Sequence, residues 1–258
     1  MSLVVVRTLG LCTVQDLGRL HHMHEGVPHG GALVPELLVR ANRLAGNHDG
    51  AAAIEVLGRL TVRATTPMSI ATDTARLLRV GDELEIISEP RRVAYLAVRG
   101  GIDCPVILDG RGAFLTAGIS APLRVNDALE TAGDPEFDAE PEDLVEGPIA
   151  LVPGPDHDAF AADALATLCA APYRIDPSSN RVGTRLTGTP IPRVEYRERS
   201  RPLAPGAIEV PRDGQPIVLG PDHPTTGGYP VIAVVAHADL GRFHAIRLGG
   251  SVQFSAPR

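Results

Sequence analysis

Short apolar runs separated by Gly, Pro and Asp dominate the chain between residues 201 and 240. The runs cover residues 207–210, 217–219 and 231–235. Apolar runs of this length, bounded by turn residues, are typical of buried β-strands. Residues 3–6 and much of 51–130 show the same pattern. The chain is therefore predicted to be mainly β, with a few helices.

The clearest helical pattern covers Pro35–Ala45. Pro35 suits the first helical position and Gly46 suits the end. Val34 stands where a capping side chain is usual, and the absence of such a cap costs ~1 kcal/mol. The predicted apolar face consists of Leu37, Leu38, Ala41, Leu44 and Ala45. A second helix is predicted at about residues 156–170, before Pro172, with Phe160, Leu165 and Leu168 facing inward.

Three segments repeat one pattern, starting at Arg79, Arg124 and Arg247. In each, Arg is followed by an apolar residue, then by Gly or Asn, and then by alternating positions. This order predicts a turn that leads into a strand. The recurrence reflects either duplicated barrel halves or chance similarity among β-turns.

An acidic stretch at residues 134–146 carries seven Asp or Glu and no Arg. Such a composition is typical of a solvated loop or linker. We therefore place an N-terminal β domain at residues 1–130, an acidic linker at 131–147 and a C-terminal β domain at 148–258. Strand exchange between the two halves is compatible with this division.

All 24 basic residues are Arg, and the chain contains no Lys. This excludes a Schiff base, covalent biotin on this chain and a phosphate-loop lysine. The net charge of −7 argues against a nucleic-acid surface. The cysteines at 12, 104 and 169 form no metal or redox pattern, which favours reduced thiols. The first ten residues, MSLVVVRTLG, lack a long apolar segment, so we expect no signal peptide. No segment approaches the ~18 apolar residues of a membrane span, and we expect a cytoplasmic location.

The first candidate site is the polar loop at residues 222–230, between two predicted strands. Asp222 is a candidate catalytic carboxylate, and glycines let backbone N–H groups approach a ligand closely. The candidate substrate-binding residues of this loop are Thr225, Thr226, Gly227, Gly228 and Tyr229. The alternative is that the loop is only a tight turn.

The second candidate site is the segment containing Gln15, Asp16 and Arg19. If the three side chains converge, Gln15 could bond an amide and Arg19 a carboxylate. Asp16 would then orient Arg19 or act as a catalytic base. The alternative is a buried Asp–Arg pair that organises the N-terminal loop.

Two further charged residues are candidate substrate ligands. Glu55 lies within the apolar run 53–57, where alternation favours the solvent face and a polar pocket is the alternative. Arg181 follows Ser-Ser-Asn in a turn, which suits either anion binding or loop-stabilising hydrogen bonds. The histidines at 21, 22, 24 and 29 lack a regular ligand spacing, so we expect solvated side chains and no metal site.

An ordered set of short motifs extends along nearly the whole chain. They are 13–19 (TVQDLGR), 26–28 (GVP), 94–98 (AYLAV), 100–103 (GGID), 152–155 (VPGP), 180–183 (NRVG), 205–208 (PGAI), 213–217 (DGQPI) and 225–230 (TTGGYP). The set resembles the carboxyltransferase-domain family, which includes the second subunit of allophanate hydrolase and the C-type subunit of 5-oxoprolinase. The chain departs from the family pattern at 109–112, which reads Asp-Gly-Arg-Gly where Gly-Ser-Arg-Ser is common, and at Val34, where Asp is common.

The resemblance implies tandem cyclophilin-like β-barrel domains. It further implies a component of a hetero-oligomeric, ATP-dependent 5-oxoprolinase-like amidohydrolase that opens the lactam of 5-oxoproline to glutamate. The implied partners are the B-type sister protein of that complex, which resembles a kinase inhibitor, and the A-type protein. ATP would be bound by the complex or by this chain.

Two alternatives follow from the same resemblance. One is a carboxyltransferase component of a biotin-dependent urea or amide carboxylase system. The other is a non-catalytic regulator that binds its B-type sister protein.

Overall fold

The computed structural model describes residues 2–131, 147–195 and 197–256. They form two compact units, the first containing residues 2–20 and 30–131. The second contains His21–His29 together with residues 147–195 and 197–256. The acidic stretch 134–146, predicted to be a linker, lies outside the described residues.

The first unit is built on one antiparallel sheet. Its strands are β1 (Ser2–Gln15), β2 (Ala53–Ala64), β3 (Met68–Ala71), β4 (Ala75–Leu78), β5 (Glu83–Ile87), β6 (Ala94–Val98) and β7 (Ala128–Glu130). The order is β4-β3-β6-β2-β1-β7, and β5 also pairs with β2. Aliphatic side chains such as Leu3, Ile54, Leu60, Ile70 and Leu96 fill its core.

A pair of glycines lets the long β1–β2 ladder curl. Gly10 opposes Gly58 across the ladder, and both have left-handed φ angles, of 94° and 129°. A Cβ on either residue would collide with a carbonyl oxygen of the opposite strand, that of Leu57 or Leu9. Only glycine fits this close approach of two backbones, and glycine kinks of this kind allow a sheet to curve.

The second unit is built on an eight-stranded sheet and a short ladder. Its strands are β8 (Ile149–Pro153), β9 (Tyr173–Ile175), β10 (Gly183–Thr187), β11 (Arg201–Pro202), β12 (Ala207–Glu209), β13 (Ile217–Leu219), β14 (Thr226–Gly227), β15 (Val231–Val235), β16 (Ser251–Val252) and β17 (Phe254–Ser255). The large sheet has the order β16-β9-β10-β13-β12-β15-β8-β17, and β11 pairs with β14. The β8–β17 pair is parallel, while the other pairs are antiparallel.

Three α-helices occur in the described part of the chain. Helix α1 is Pro35–Ala45, as predicted, and Gly46 ends it in the left-handed conformation. Helix α2 is Ala164–Ala170, preceded by a 3-10 turn at His157–Ala159, so the predicted start at 156 was wrong. The backbone of Ala159 and Ala161 instead pairs with Val194 and Pro192, and a helix cannot form those bonds. Helix α3, His237–Ala245, was not predicted.

The three Arg-initiated repeats fold as predicted, each as a turn that leads into a strand. Gly81, Asn126 and Gly249 occupy the left-handed position, with φ of 86°, 74° and 74°. In the first two turns, the Arg backbone N–H donates to the Asp carboxylate three residues later, at 2.8 and 2.7 Å. The shared chemistry explains the shared sequence, while duplication of the two halves stays a hypothesis.

The predicted fold class is confirmed: the described residues are mainly β, on curled, near-barrel sheets with few helices. None of the helices described is both long and apolar enough to cross a membrane.

Candidate functional site

The three N-terminal candidates converge on one loop of the first unit. The Asp16 carboxylate accepts backbone N–H groups of Gly18 at 2.9 Å and Arg111 at 2.6 Å. The Arg19 guanidinium donates to the carbonyl oxygens of Ile107, at 3.0 Å, and Gly112. All three candidate side chains are buried. Asp16 and Arg19 therefore hold the loop through its backbone, which supports the loop-organising interpretation; the catalytic role of Asp16 stays a prediction.

The two glycines that replace the family's common serines make room for these side chains. A Cβ on Gly110 would lie 2.6 Å from Cγ of Arg19. A Cβ on Gly112 would lie 2.5 Å from Oε1 of Gln15 and 2.9 Å from Oδ1 of Asp16. The side chains of Arg19, Gln15 and Asp16 thus occupy the space that side chains at 110 and 112 would need.

Gln15 is the member of this group with an unused acceptor. Its Nε2 donates to Thr13 Oγ1 and to the Ala113 carbonyl oxygen, both at 3.1 Å. Its buried Oε1 has no hydrogen-bond partner among the described residues. A buried polar atom without a partner costs ~1–3 kcal/mol, so a ligand N–H at this position would be favourable.

Strand alternation favoured the solvent face for Glu55. In the structure its side chain is instead fully buried. Its Oε2 accepts the Leu33 N–H at 2.7 Å and the Tyr95 hydroxyl at 2.6 Å. The Tyr95 oxygen in turn accepts the Val34 N–H at 3.0 Å. Glu55 and Tyr95 therefore satisfy backbone donors at the start of α1, where Val34 offers no capping side chain. The substrate-binding role of Glu55 stays a prediction.

In the second unit, Arg181 and Asp222 form a buried bidentate ion pair. The Nε–Oδ2 and Nη2–Oδ1 distances are 2.8 and 2.9 Å. Both side chains are less than a tenth exposed. A fork-on-fork pair of this kind fixes the geometry of both groups. The two candidates are brought together, and each serves as the other's counter-charge.

The rest of the loop joins buried and exposed polar groups. The fully buried His223 contacts the Pro224 carbonyl oxygen through Nδ1, at 2.7 Å, and its Nε2 has no partner among the described residues. Burial lowers the pKa of His223. Thr225 is half-buried, Thr226 is exposed and Tyr229 is 43% exposed. Thr226–Gly227 forms β14, which pairs with Arg201–Pro202.

Comparison with known proteins gives a consistent result over nearly the whole chain. A family model described as "Carboxyltransferase domain, subdomain A and B" matches residues 25–81 and 72–256. The chain belongs to the carboxyltransferase-domain family. The resemblance inferred from the ordered motifs is thereby confirmed.

Two curated members of the carboxyltransferase-domain family are similar at full length. The C-type subunit of 5-oxoprolinase from Escherichia coli strain K12 is 33% identical over 279 residues, covering 98% of this chain and 90% of that protein. The Haemophilus influenzae protein of the same name is 31% identical, covering 95% of this chain and 87% of that protein. The urea amidolyase of Lachancea kluyveri is 29% identical over 94% of this chain but only 16% of its own length.

Solved structures give the same fold. The crystal structure of TTHA0988 matches with a TM-score of 0.87 at 28% identity, covering 98% of this chain. This chain spans 55% of that one, or about half its length. The K. lactis urea amidolyase matches with a TM-score of 0.91 over 99% of this chain and 18% of its own, at 23% identity, and shows the fold alone.

Sequence reasoning missed several buried polar residues of this carboxyltransferase-domain chain. In the second unit, Asp156 accepts the Val231 N–H at 2.8 Å and forms an ion pair with Arg201. Glu209 lies at the end of β12 within an apolar run, and the sequence alone does not distinguish it from other strand residues. A signal was available, since an acid in such a run is either exposed or buried for a reason.

Glu209 is the clearest of the residues missed. Its side chain is only 7% exposed. A Cβ on Gly227 would lie 2.9 Å from its Oε1 and 2.6 Å from Cδ1 of Leu203. Burial raises the pKa of Glu209 to about 7. The carboxyl group therefore lies directly against the candidate loop and titrates near neutral pH.

Gly227 and Gly228 do not serve as left-handed turn residues, because neither has a positive φ. Gly227 is required for space instead, next to Leu203 and Glu209, whereas a Cβ on Gly228 would meet nothing within 4 Å. Within the described ranges, no three His, Cys, Asp or Glu side chains are grouped as metal ligands.

Proposed function

We propose that this chain is one component of an ATP-dependent 5-oxoprolinase-like amidohydrolase that opens the lactam of 5-oxoproline to glutamate. The observation that carries this proposal is 33% identity to the C-type subunit of a 5-oxoprolinase along 98% of the chain. In this proposal the chain is active in a complex with A-type and B-type partner proteins.

Each unit, considered by itself, has polar groups that suit such a substrate. In the first unit, the buried Oε1 of Gln15 can accept a lactam N–H. In the second unit, the hydroxyl groups of Thr225 and Thr226 and the backbone of Gly227 and Gly228 can bind a carbonyl or carboxylate oxygen. Asp222 is held in place by Arg181, as a positioned carboxylate must be.

ATP supplies the energy for the reaction in this proposal. Amide resonance makes the lactam carbonyl a poor electrophile, and transfer of a phosphoryl group to its oxygen makes it a better one. Since the chain has no Lys, Arg side chains, helix ends or a partner protein must hold the phosphates. We assign ATP to the complex and place no step of its chemistry on residues of this chain.

A second candidate function is supported by the similarity to urea amidolyase over 94% of the chain. In that case the chain would transfer a carboxyl group from a carboxybiotin carried by another protein. A chain without Lys cannot itself carry biotin, so a separate carrier is required.

The test is to co-express the chain with A-type and B-type proteins from the same organism, purify the complex and supply 5-oxoproline with ATP. We expect glutamate to form with one ATP consumed per lactam opened, and no glutamate to form without ATP. A folded complex that makes no glutamate contradicts the proposal. Carboxylation of urea when a biotin carrier and biotin carboxylase are added would favour the carboxyltransferase instead, and inactivity in both assays with tight assembly of the complex would favour a regulator.

A further inference from the structure

Glu209 is a largely buried acid that has no counter-charge among the described residues. It ends β12, which lies between β13 and β15 in the large sheet. No hydrogen bond or ion pair reaches its side chain from any residue that the structure describes, although the side chain is 7% exposed. Burying an acid in this way destabilises a fold, and the packing of β12 alone does not explain it.

The carboxyl group lies at the underside of the candidate loop. Its Oε1 occupies the space that a Gly227 side chain would need. The backbone on this side is fixed, because Gly227 pairs with Arg201 and the Leu203 N–H donates to the Thr225 carbonyl oxygen at 3.0 Å. A substrate that contacts Gly227 from this side would therefore meet the Glu209 carboxyl group.

The surrounding charged groups are engaged elsewhere. Arg201 forms an ion pair with Asp156, and Arg193 forms one with Glu198 at 2.9 Å while donating to the Val210 carbonyl oxygen. Both of these Arg side chains thus have another carboxylate as their partner. Burial then decides the titration of Glu209, whose pKa of about 7 keeps an appreciable fraction protonated at neutral pH.

We propose that Glu209 is the proton donor of the second unit, and that it protonates the nitrogen released when the substrate's amide bond is cleaved at the loop 225–229. This inference rests on the proposed function. Water adds to the amide carbon and loses a proton. As the C–N bond breaks, its electron pair moves to nitrogen, which takes the proton of the Glu209 carboxyl group. The proton lost by water then restores that carboxyl group. The phosphoryl group that ATP had placed on the carbonyl oxygen stays on the opened product as an acyl phosphate, and a second water hydrolyses it to glutamate and phosphate.

The test uses the purified complex with 5-oxoproline and ATP, and three variants of this chain. Glu209→Gln keeps the shape but cannot donate a carboxyl proton, and kcat should fall by roughly 100-fold or more with KM changed by less than about threefold. Glu209→Asp keeps the acid but withdraws it from Gly227, so its loss should be smaller. Glu195→Gln removes an exposed carboxylate of the same unit and should match the wild type.

The pH profile separates a proton donor from a structural residue. Because the donor must be protonated, kcat/KM of the wild type should decline above about pH 7, and Glu209→Gln should lose that decline. A Glu209→Gln complex with wild-type kcat, or with the same decline, overturns the inference while leaving the proposed function intact. If the wild-type complex makes no glutamate, the proposed function fails and this inference fails with it. Thermal unfolding of each variant excludes loss of fold as the cause of any inactivity.

Discussion

At the scale of single residues, acids buried inside the strands divide into two kinds. Glu55 is fully buried but satisfied, since it accepts the Leu33 N–H and the Tyr95 hydroxyl. Glu209 is buried without such partners among the described residues and has a raised pKa. The first kind stabilises the fold, whereas the second is typical of a residue retained for chemistry.

The stability of Glu209→Gln should depend on pH. Glu209 has a pKa of about 7 in the folded chain, against an ordinary value of 4.5, so the folded state holds more protons between these values. The free energy of unfolding therefore falls as pH rises from about 4.5 to 7, by up to about 3 kcal/mol. Urea unfolding should show Glu209→Gln more stable than the wild type at pH 8 and equal to it near pH 4.5. A difference that is the same at both pH values, or a Glu195→Gln control that behaves alike, would contradict this interpretation.

The Arg181–Asp222 pair offers a second test at this scale. Removing one member of a buried pair leaves an uncompensated charge, so Asp222→Asn should lower the free energy of unfolding by about 3–5 kcal/mol. Arg43 and Asp49 form a pair with the same fork geometry, at 2.8 and 3.0 Å, but Asp49 is 40% exposed. Asp49→Asn should therefore cost no more than about 1 kcal/mol. Equal losses in the two variants would show that burial does not set the strength of these pairs.

At the scale of elements, α1 shows how a helix can start without its own cap. Sequence periodicity predicted both ends of this helix, because its apolar face and the terminal Gly46 are local signals. The substitute cap could not be predicted, because Glu55 and Tyr95 come from β2 and β6 and meet the helix only after the sheet has formed. The start of α2 failed for the same reason, since the pairing of Ala159 and Ala161 with a distant segment overrides local helix propensity.

Tyr95→Phe should destabilise the start of α1. The substitution removes the hydroxyl that accepts the Val34 N–H and donates to Glu55, so we expect a loss of about 1–3 kcal/mol in the free energy of unfolding. Tyr229→Phe removes an exposed hydroxyl and should change stability by less than about 0.5 kcal/mol. Unfolding of the two variants by denaturant gives both free energies of unfolding. Equal free energies would mean that the stability of α1 does not depend on the Tyr95 hydroxyl.

Strand β14 and the residue after it provide a matched pair of glycines. Gly227→Ala places a methyl group against Leu203 and Glu209, which should cost about 1–3 kcal/mol as those side chains shift. Gly228→Ala meets nothing within 4 Å and should be neutral within about 0.5 kcal/mol. Thermal unfolding of both variants is sufficient, and a destabilised Gly228→Ala with a neutral Gly227→Ala would refute the steric account.

At the scale of the whole molecule, the ordered motifs predicted the family and the mainly β class, both of which are confirmed. They could not supply the packing around the candidate residues. Gln15, Asp16 and Arg19 lie close together in the sequence, so their convergence was foreseeable, but their shared loop at 107–113 is ~90 residues away along the chain. Glu209 was missed because only the fold brings it against Gly227.

The absence of Lys gives a prediction for the complex as a whole. An amine-reactive acylating reagent finds no lysine side chain in this chain, because its basic side chains other than His are guanidinium groups. If ATP protects the complex against such a reagent, mass spectrometry should find the protected lysines in partner proteins only. Inactivation accompanied by acylated side chains in this chain would contradict the assignment.

The bonds that replace the helix cap also make two backbone hydrogens unusually informative. The amide protons of Leu33 and Val34 are hydrogen-bonded to side chains of β2 and β6, not to groups of the helix itself. These two amide protons can exchange with heavy water only after helix α1 has separated from the sheet. The rate of their deuterium uptake therefore reports how often this contact opens, which the exchange of amides at a fraying helix end does not report.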